Sequence, residues 1–284
     1  MSPSSSSRAF VVAAAALAAA GGLALVVAPG PARGAERVEQ GLPSGGRLEI
    51  EGLAGRLVVT PAGSGSAIGL RLTGPDAAAL GRVRVETGGG RVVRVDASGV
   101  GGRDGGTTTS VGSLTVIQQG GGQSSVRIGG DAVATGSGRG IGLEVSLPAG
   151  TALVVRGLTG EAEIGESATA GLDLEAVAAS VRAGAVGGPA RLALTGAGEI
   201  AVREVAGPSL RVEVTGAGDV RVKGGSVDEL AAEMTGSGGL VFGGRAKRAR
   251  LELTGASTAR LARVDERPEV EAAGAAEVEV GNWR

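Results

Sequence analysis

From about residue 141 onward, apolar and polar residues alternate with a period of two, and the alternation itself repeats. The runs LALTGAGEIAV from Leu192, RVEVTGAGDVRV from Arg211, AAEMTGSGGLVF from Ala231 and LELTGASTARL from Leu251 share one layout. Each has an alternating run, Thr-Gly, small residues, then a second alternating run. Thr195, Thr215, Thr235 and Thr254 mark spacings of 20, 20 and 19. Weaker copies begin at Val270, with Ala273 in the threonine place, and at Leu172 and Leu153, with Glu175 and Arg156 there.

Period two means strands, since successive side chains of a strand point to opposite faces. Leu192, Leu194, Ile200 and Val202 point one way; Arg191, Ala193, Glu199 and Ala201 point the other. One unit on, Val212, Val214, Val220 and Val222 face inward, and Arg211, Glu213, Asp219 and Arg221 face outward. Each unit is expected to hold two short strands, a tight corner and a looser return such as REVAGPS or KGGSVDE. Two strands cannot bury their own apolar face. Stacked units can, with equivalent strands pairing in parallel. The expected fold is all-β: a right-handed, single-stranded β-helix-like β-solenoid of about 19–20-residue coils. The coils start near 153, 172, 192, 211, 231, 251 and 270, within 141–284. Glycine at the corner supplies positive φ and close approach between coils. Thr195, Thr215, Thr235 and Thr254 are expected to form a structural ladder, hydroxyl over hydroxyl.

Residues 36–140 are expected to be β-rich as well. LEIEGLAGRLVVT, from Leu48 to Thr60, matches the pattern of LVVRGLTGEAEIG, and other runs alternate. A Gly-rich loop is expected near 98–113, loosest from Val100 to Ser110. The portion as a whole reads as a sandwich-like meander capping the stack, because a bare first coil would leave an aggregation-prone edge. At the far end, Trp283 is expected to cap the last coil.

The N-terminus departs from this pattern. Ala9 to Ala28 is an unbroken apolar run, preceded by Arg8 and ended by Pro29-Gly30-Pro31. Small residues around Ala32-Arg33-Gly34 suit cleavage before Ala35. Residues 1–34 therefore read as a signal helix for export, or as an uncleaved anchor, since 20 apolar residues also meet the length of a membrane span.

Composition narrows the chemistry. The 284 residues include no His, no Cys, no Tyr, two Phe and one Trp. No Ser-His-Asp triad, Cys-His pair, soft-metal site or disulfide framework can be assembled. The scarcity of rings removes base stacking and sugar platforms. With 28 basic and 29 acidic residues, nucleic acid is not an expected partner.

The repeated T-G-A/S-G-[DE]-[IV]-x-V units, preceded by a strand ending in Leu147-Pro148-Ala149-Gly150, resemble the GIN domain, the head domain of auto-transporter adhesins. The resemblance covers residues 40–284, best over 141–284. It implies a β-helical exported domain and supplies no catalytic residues. An auto-transporter also needs a C-terminal translocation barrel with aromatic girdles. The sequence ends at Arg284 without a Tyr, so no such barrel is expected.

Two groups of residues are candidates for chemistry or contact. Glu199 and Asp219 occupy equivalent corners of adjacent coils, about 5 Å apart by strand spacing. Such a pair suits a glycosidase or a hard cation, but the next corners are Gly239 and Thr258, so a solvated face is the favoured reading. Arg245, Lys247, Arg248 and Arg250 lie on one return. They read as a solvated turn, with a sulfated or acidic glycan as the alternative. No catalytic residue, cofactor or metal ligand is assigned.

The expected function is an exported, non-enzymatic, adhesin-like module of the cell envelope. It would be periplasmic, cell-surface or extracellular, binding an envelope or extracellular protein or glycan, with homo-oligomers allowed. Contact with a membrane would run only through residues 9–28 if uncleaved. Two alternatives stand beside it: a secreted polysaccharide-active β-helix enzyme, and a membrane-tethered envelope sensor or regulator.

Overall fold

A computed structural model describes residues 26–29, 35–42, 46–62, 67–74, 77–88, 92–98, 107–111, 114–119, 123–128, 131–135, 140–165 and 169–282. The chain is all-β, with one short helix, Ala77–Arg82, among the described residues. Among the described residues fifteen strands form one large sheet, and four form a second.

From residue 152 on, the pairings between successive strands are parallel and join residues 18 to 20 apart, whereas Ile141–Leu147, expected within the repeats, pairs with Ala54–Pro61 and Ile68–Gly74 instead. Leu172 lies beside Ala190, Ser180 beside Glu199, Asp219 beside Gly239, Thr235 beside Thr254 and Thr258 beside Glu277. The period-two pattern sets which side chains are enclosed. Leu192, Leu194, Ile200, Val202, Val212, Val214, Val220 and Val222 are at most 2% exposed. Each such side chain contributes roughly 1.5–3 kcal/mol by leaving water. Phe242 is fully buried in the same interior.

The returns are not loose. Ala190–Gly236 is a continuous 47-residue run of strand. Its return segments bury Val205, Leu210, Val227 and Leu230, and the next repeat buries Ala246 and Ala249. Each repeat thus turns three runs of backbone toward the interior instead of two. The Gly and Pro in REVAGPS and KGGSVDE suggested loops, but the apolar residues spaced around them are enough to anchor a third strand.

The threonine place is also shifted in the early repeats. Val177, not Glu175, lies beside Thr195, while Glu175 pairs with Ala193. The step from the Leu172 strand to the next is 18 residues in this stretch, so counting by 20 misplaces the column by two. Glu175 stands two residues before the threonine column, as Glu213, Glu233 and Glu252 do, and Arg156 pairs with Glu51.

The corners explain the glycines. Gly216, Gly236, Gly255 and Gly274 have φ between +91° and +121°, and a Cβ on each would lie 2.2–2.6 Å from the carbonyl oxygen of the corner glycine before it. Only glycine meets both conditions without strain. The same corner in the Leu172 repeat holds Ala178 at φ 55°, the one positive-φ residue other than glycine among those described.

The stack starts well before residue 141. Strand Arg47–Glu51 pairs in parallel with Ala152–Arg156, and Ala54–Pro61 pairs with Thr159–Ile164. The likeness between LEIEGLAGRLVVT and LVVRGLTGEAEIG therefore corresponds to strands that pair directly, in parallel. Between them the chain departs and comes back. Ile141–Leu147 returns along the other side of Ala54–Pro61, and Ile68–Gly74 and Ala35–Leu42 add antiparallel strands outward. Val92–Asp96 continues the Arg47–Glu51 face in parallel, and Arg84–Gly88 closes it antiparallel. The N-terminal portion is thus an outward continuation of two coil faces, with Leu80 of the helix buried against them, and not a separate meander.

Part of the expected Gly-rich loop is ordered as strand. Thr107–Val111 pairs with Leu114–Gln119 in the four-stranded sheet. At the N-terminus, Val26–Pro29 is extended and pairs antiparallel with Ala35–Leu42, so the end of the apolar run is not helical. The remainder of the expected signal helix, residues 1–25 and 30–34, and Trp283 lie outside the described residues. No described helix is long and apolar enough to cross a membrane.

Candidate functional site

The outward side chains form columns, because each coil repeats the inward–outward alternation of the one below. On the face built by the first strand of each coil, arginines and carboxylates interlock. Arg156 approaches Asp173 (3.9 Å), Asp173 approaches Arg191 (3.6 Å), Arg191 binds Glu213 (2.8 Å), and Arg211 binds Glu213 (2.6 Å) and Glu233 (2.7 Å). The chain of ion pairs crosses five consecutive coils. Hydrogen bonds from Arg191 hold the Glu213 carboxyl below the usual carboxylate range, against a smaller opposing effect of burial. The charges are partly exposed, so each pair contributes at most about 1 kcal/mol.

The same device recurs at the N-terminal end. Arg94 donates two hydrogen bonds to Glu49, at 2.8 and 3.1 Å, and these depress the Glu49 carboxyl. Arg37 pairs with the fully buried Glu39 and donates to the Val83 carbonyl at 2.8 Å. That bond ties the outer strand to the residue just after the helix.

Glu199 and Asp219 do lie on one face, but Arg221 stands with them, 2.6 Å from Glu199 and 3.4 Å from Asp219. The corner positions continue as Gly239 and Thr258, in register, as the spacing implied. The site is a carboxylate–guanidinium triad on an open strand face. Among the described residues no group of three or more acidic side chains is placed to hold a metal ion.

The basic run is set among acids. Arg245 binds Asp265 (2.7 Å), which Arg263 also reaches (3.3 Å), and Arg250 binds Glu252 (2.7 Å). Arg248 lies beside Glu229 on the coil below, and the Glu266 amide donates to the Lys247 carbonyl. Hydrogen bonds from Arg245 lower the Asp265 carboxyl. The run is therefore one band in a surface of alternating sign, not a basic patch.

Thr195, Thr215, Thr235 and Thr254 form an exposed column at the corners. Among the described residues no hydrogen bond joins one hydroxyl to the next; the contact there is backbone ladder and glycine packing. The ion-pair chain was missed from the sequence. Its signal was Arg-x-Glu on an alternating run, as in Arg37–Glu39, Arg47–Glu49, Arg211–Glu213 and Arg250–Glu252, which all pair. Residues two apart on a strand share a face.

Residues 185–282 match the family model described as "Putative auto-transporter adhesin, head GIN domain". The matched segment spans the coils that carry the Thr-Gly corners. Among solved structures, a putative adhesin from Parabacteroides merdae is similar at 12% identity and TM-score 0.46, over 88% of this chain and 97% of that one. A putative lipid binding protein from Parabacteroides distasonis is similar at 11% identity and TM-score 0.45, over 86% and 96%. A putative adhesin from the same organism is similar at 12% identity and TM-score 0.43, over 87% and 97%. No curated protein matches the sequence.

Proposed function

We propose that this chain is an exported, non-enzymatic β-solenoid that acts as an adhesin-like interaction module of the cell envelope. The winding is read as right-handed, with residues 1–34 as the export signal and 36–140 as the capping portion. The carrying observation is the surface. Carboxylates and guanidinium groups pair with one another along regular columns on the face opposite the buried apolar residues. A surface built this way offers a partner rigid, repeated polar contacts at strand spacing. Repetition across coils would supply avidity to a repetitive protein or glycan. The match of residues 185–282 to an adhesin head family supports the same reading.

The test is capture of purified envelope and extracellular-matrix components by the full chain, beside Arg248→Ala, Glu199→Ala and Arg211→Ala. Saturable binding of one component, weakened by one of these substitutions and not by the others, is expected. Absence of binding to any component, or turnover of a polysaccharide by the chain, would overturn the reading.

A further inference from the structure

Among the described residues the last repeat is the least covered, and it carries outward glutamates on both of its strands. Among the described residues its two strands, Glu269–Gly274 and Glu277–Asn282, each have a sheet neighbour on one side only. Among the described residues their outer edges present unpaired backbone N–H and C=O groups. Val270 occupies the column of Leu251, yet it is 42% exposed where Leu251 is 0% exposed. Ala272 is exposed in the column of the buried Leu253, and Val278 and Val280 are only half-buried.

The column that runs through Asp173, Arg191, Arg211, Ala231 and Arg250 returns to an acid at Glu269, and the neighbouring column of Glu233 and Glu252 continues with Glu271. The second strand adds Glu277 and Glu279. Among the described residues only Glu279 of these four has an ion pair within 4 Å, with Arg260 one repeat below (3.0 Å). Arg250 acts on Glu269 and Glu271 only at longer range.

We propose that this end coil is a docking edge for a partner β-strand in which apolar residues alternate with Lys or Arg. Pairing would satisfy the open backbone groups, as in strand addition to an exposed sheet edge. The partner's apolar residues would cover Val270 and Ala272, and its basic residues would meet Glu269 and Glu271. A second copy docked by the same edge fits poorly. It would set four glutamates against four, and like charges facing across a strand pair are destabilising. The inference rests on the reading of the chain as an interaction module and places the contact at the end of the stack, with a stated chemistry.

The test uses the purified full chain and two blocked peptides, one alternating Val and Lys, the other Val and Glu. Expected is at least about tenfold tighter binding of the basic peptide, falling with added salt because exposed charges are screened. The amides of 269–274 should exchange more slowly when it is bound. The variant Glu269→Lys/Glu271→Lys, with an unchanged circular dichroism spectrum, should prefer the acidic peptide. Equal affinity for both peptides, no binding of either, or an unchanged preference in the charge-reversed chain would overturn the inference. So would a dimer of the chain alone that Val270→Glu dissociates, since a second copy would then be the occupant. Capture of an envelope component together with indifference to both peptides would overturn this inference and leave the broader reading standing. Binding of the basic peptide without any envelope component would do the reverse.

Discussion

The two ends of the stack solve the same problem in opposite ways. At the N-terminal end the first coil, 47–61, is followed outward by further strands on both faces and by the Ala77–Arg82 helix. The fully buried Glu39 is held there by Arg37, which also grips the backbone at Val83. At the C-terminal end the described chain stops on a plain coil with exposed Val270 and four outward glutamates. Burial dominates at the first end, whereas outward charge dominates at the second among the described residues. Lone charges on an edge deter unwanted strand pairing. They also select which strand can still be added.

The sharpest way to test that contrast is to truncate one column at two depths. Leu251→Ala should lower stability by roughly 2–5 kcal/mol, the usual range for a leucine deleted from a closed core. Val270→Ala, one coil further out, should cost less than about 0.5 kcal/mol. Urea unfolding of the full chain measures both. Comparable losses would mean that the end coil is covered in solution.

Corner glycines give the next largest difference. Gly236→Ala combines φ +121° with a Cβ 2.2 Å from the Gly216 carbonyl oxygen. A loss of roughly 1–3 kcal/mol is expected from the backbone strain alone. Gly274→Ala should cost less, because no described coil lies above it and its strand can yield. In the opposite sense, Ala178→Gly relieves a left-handed alanine and should raise stability by up to about 1 kcal/mol. A destabilised Ala178→Gly would show that its methyl group matters more than its φ.

Acid response separates the paired carboxylates from the rest. Glu49 and Glu213 titrate lower in the folded chain than their ordinary value of 4.5. Groups with depressed values contribute stability that is fully present above the unfolded value and disappears as pH falls through the folded one. Unfolding midpoints should therefore drop below about pH 4.5, and Glu213→Gln should flatten that drop. An unaltered slope in Glu213→Gln would remove the ion-pair chain from the account. The smallest effect is Arg211→Ala, expected below about 1 kcal/mol and reduced further by salt.

The inward set was legible in the sequence almost residue for residue. Leu192, Ile200, Val212 and Val220 are fixed inside by alternation alone, because side-chain direction on a strand is a local property. The corner glycines were legible for the same reason. The Arg-x-Glu pairs lay within reach of the same rule, but Arg191–Glu213 and Arg211–Glu233 did not. Those bonds run diagonally from coil to coil, so they depend on the number of residues each turn consumes. One turn of 18 in place of 20 moved Glu175 from the threonine column into the acidic one.

What the sequence determined by itself was an all-β chain, its repeat near 20 residues and the identity of its enclosed side chains. What the tertiary structure decided was which strand lies beside which. It set residues 47–61 against 152–164 across some ninety intervening residues, turned the returns into strand, and covered the 47–61 end with further strands. The physical reason is one of range. Alternation is written into neighbouring residues, whereas register and end cover are settled only when distant segments compete for the same backbone edge.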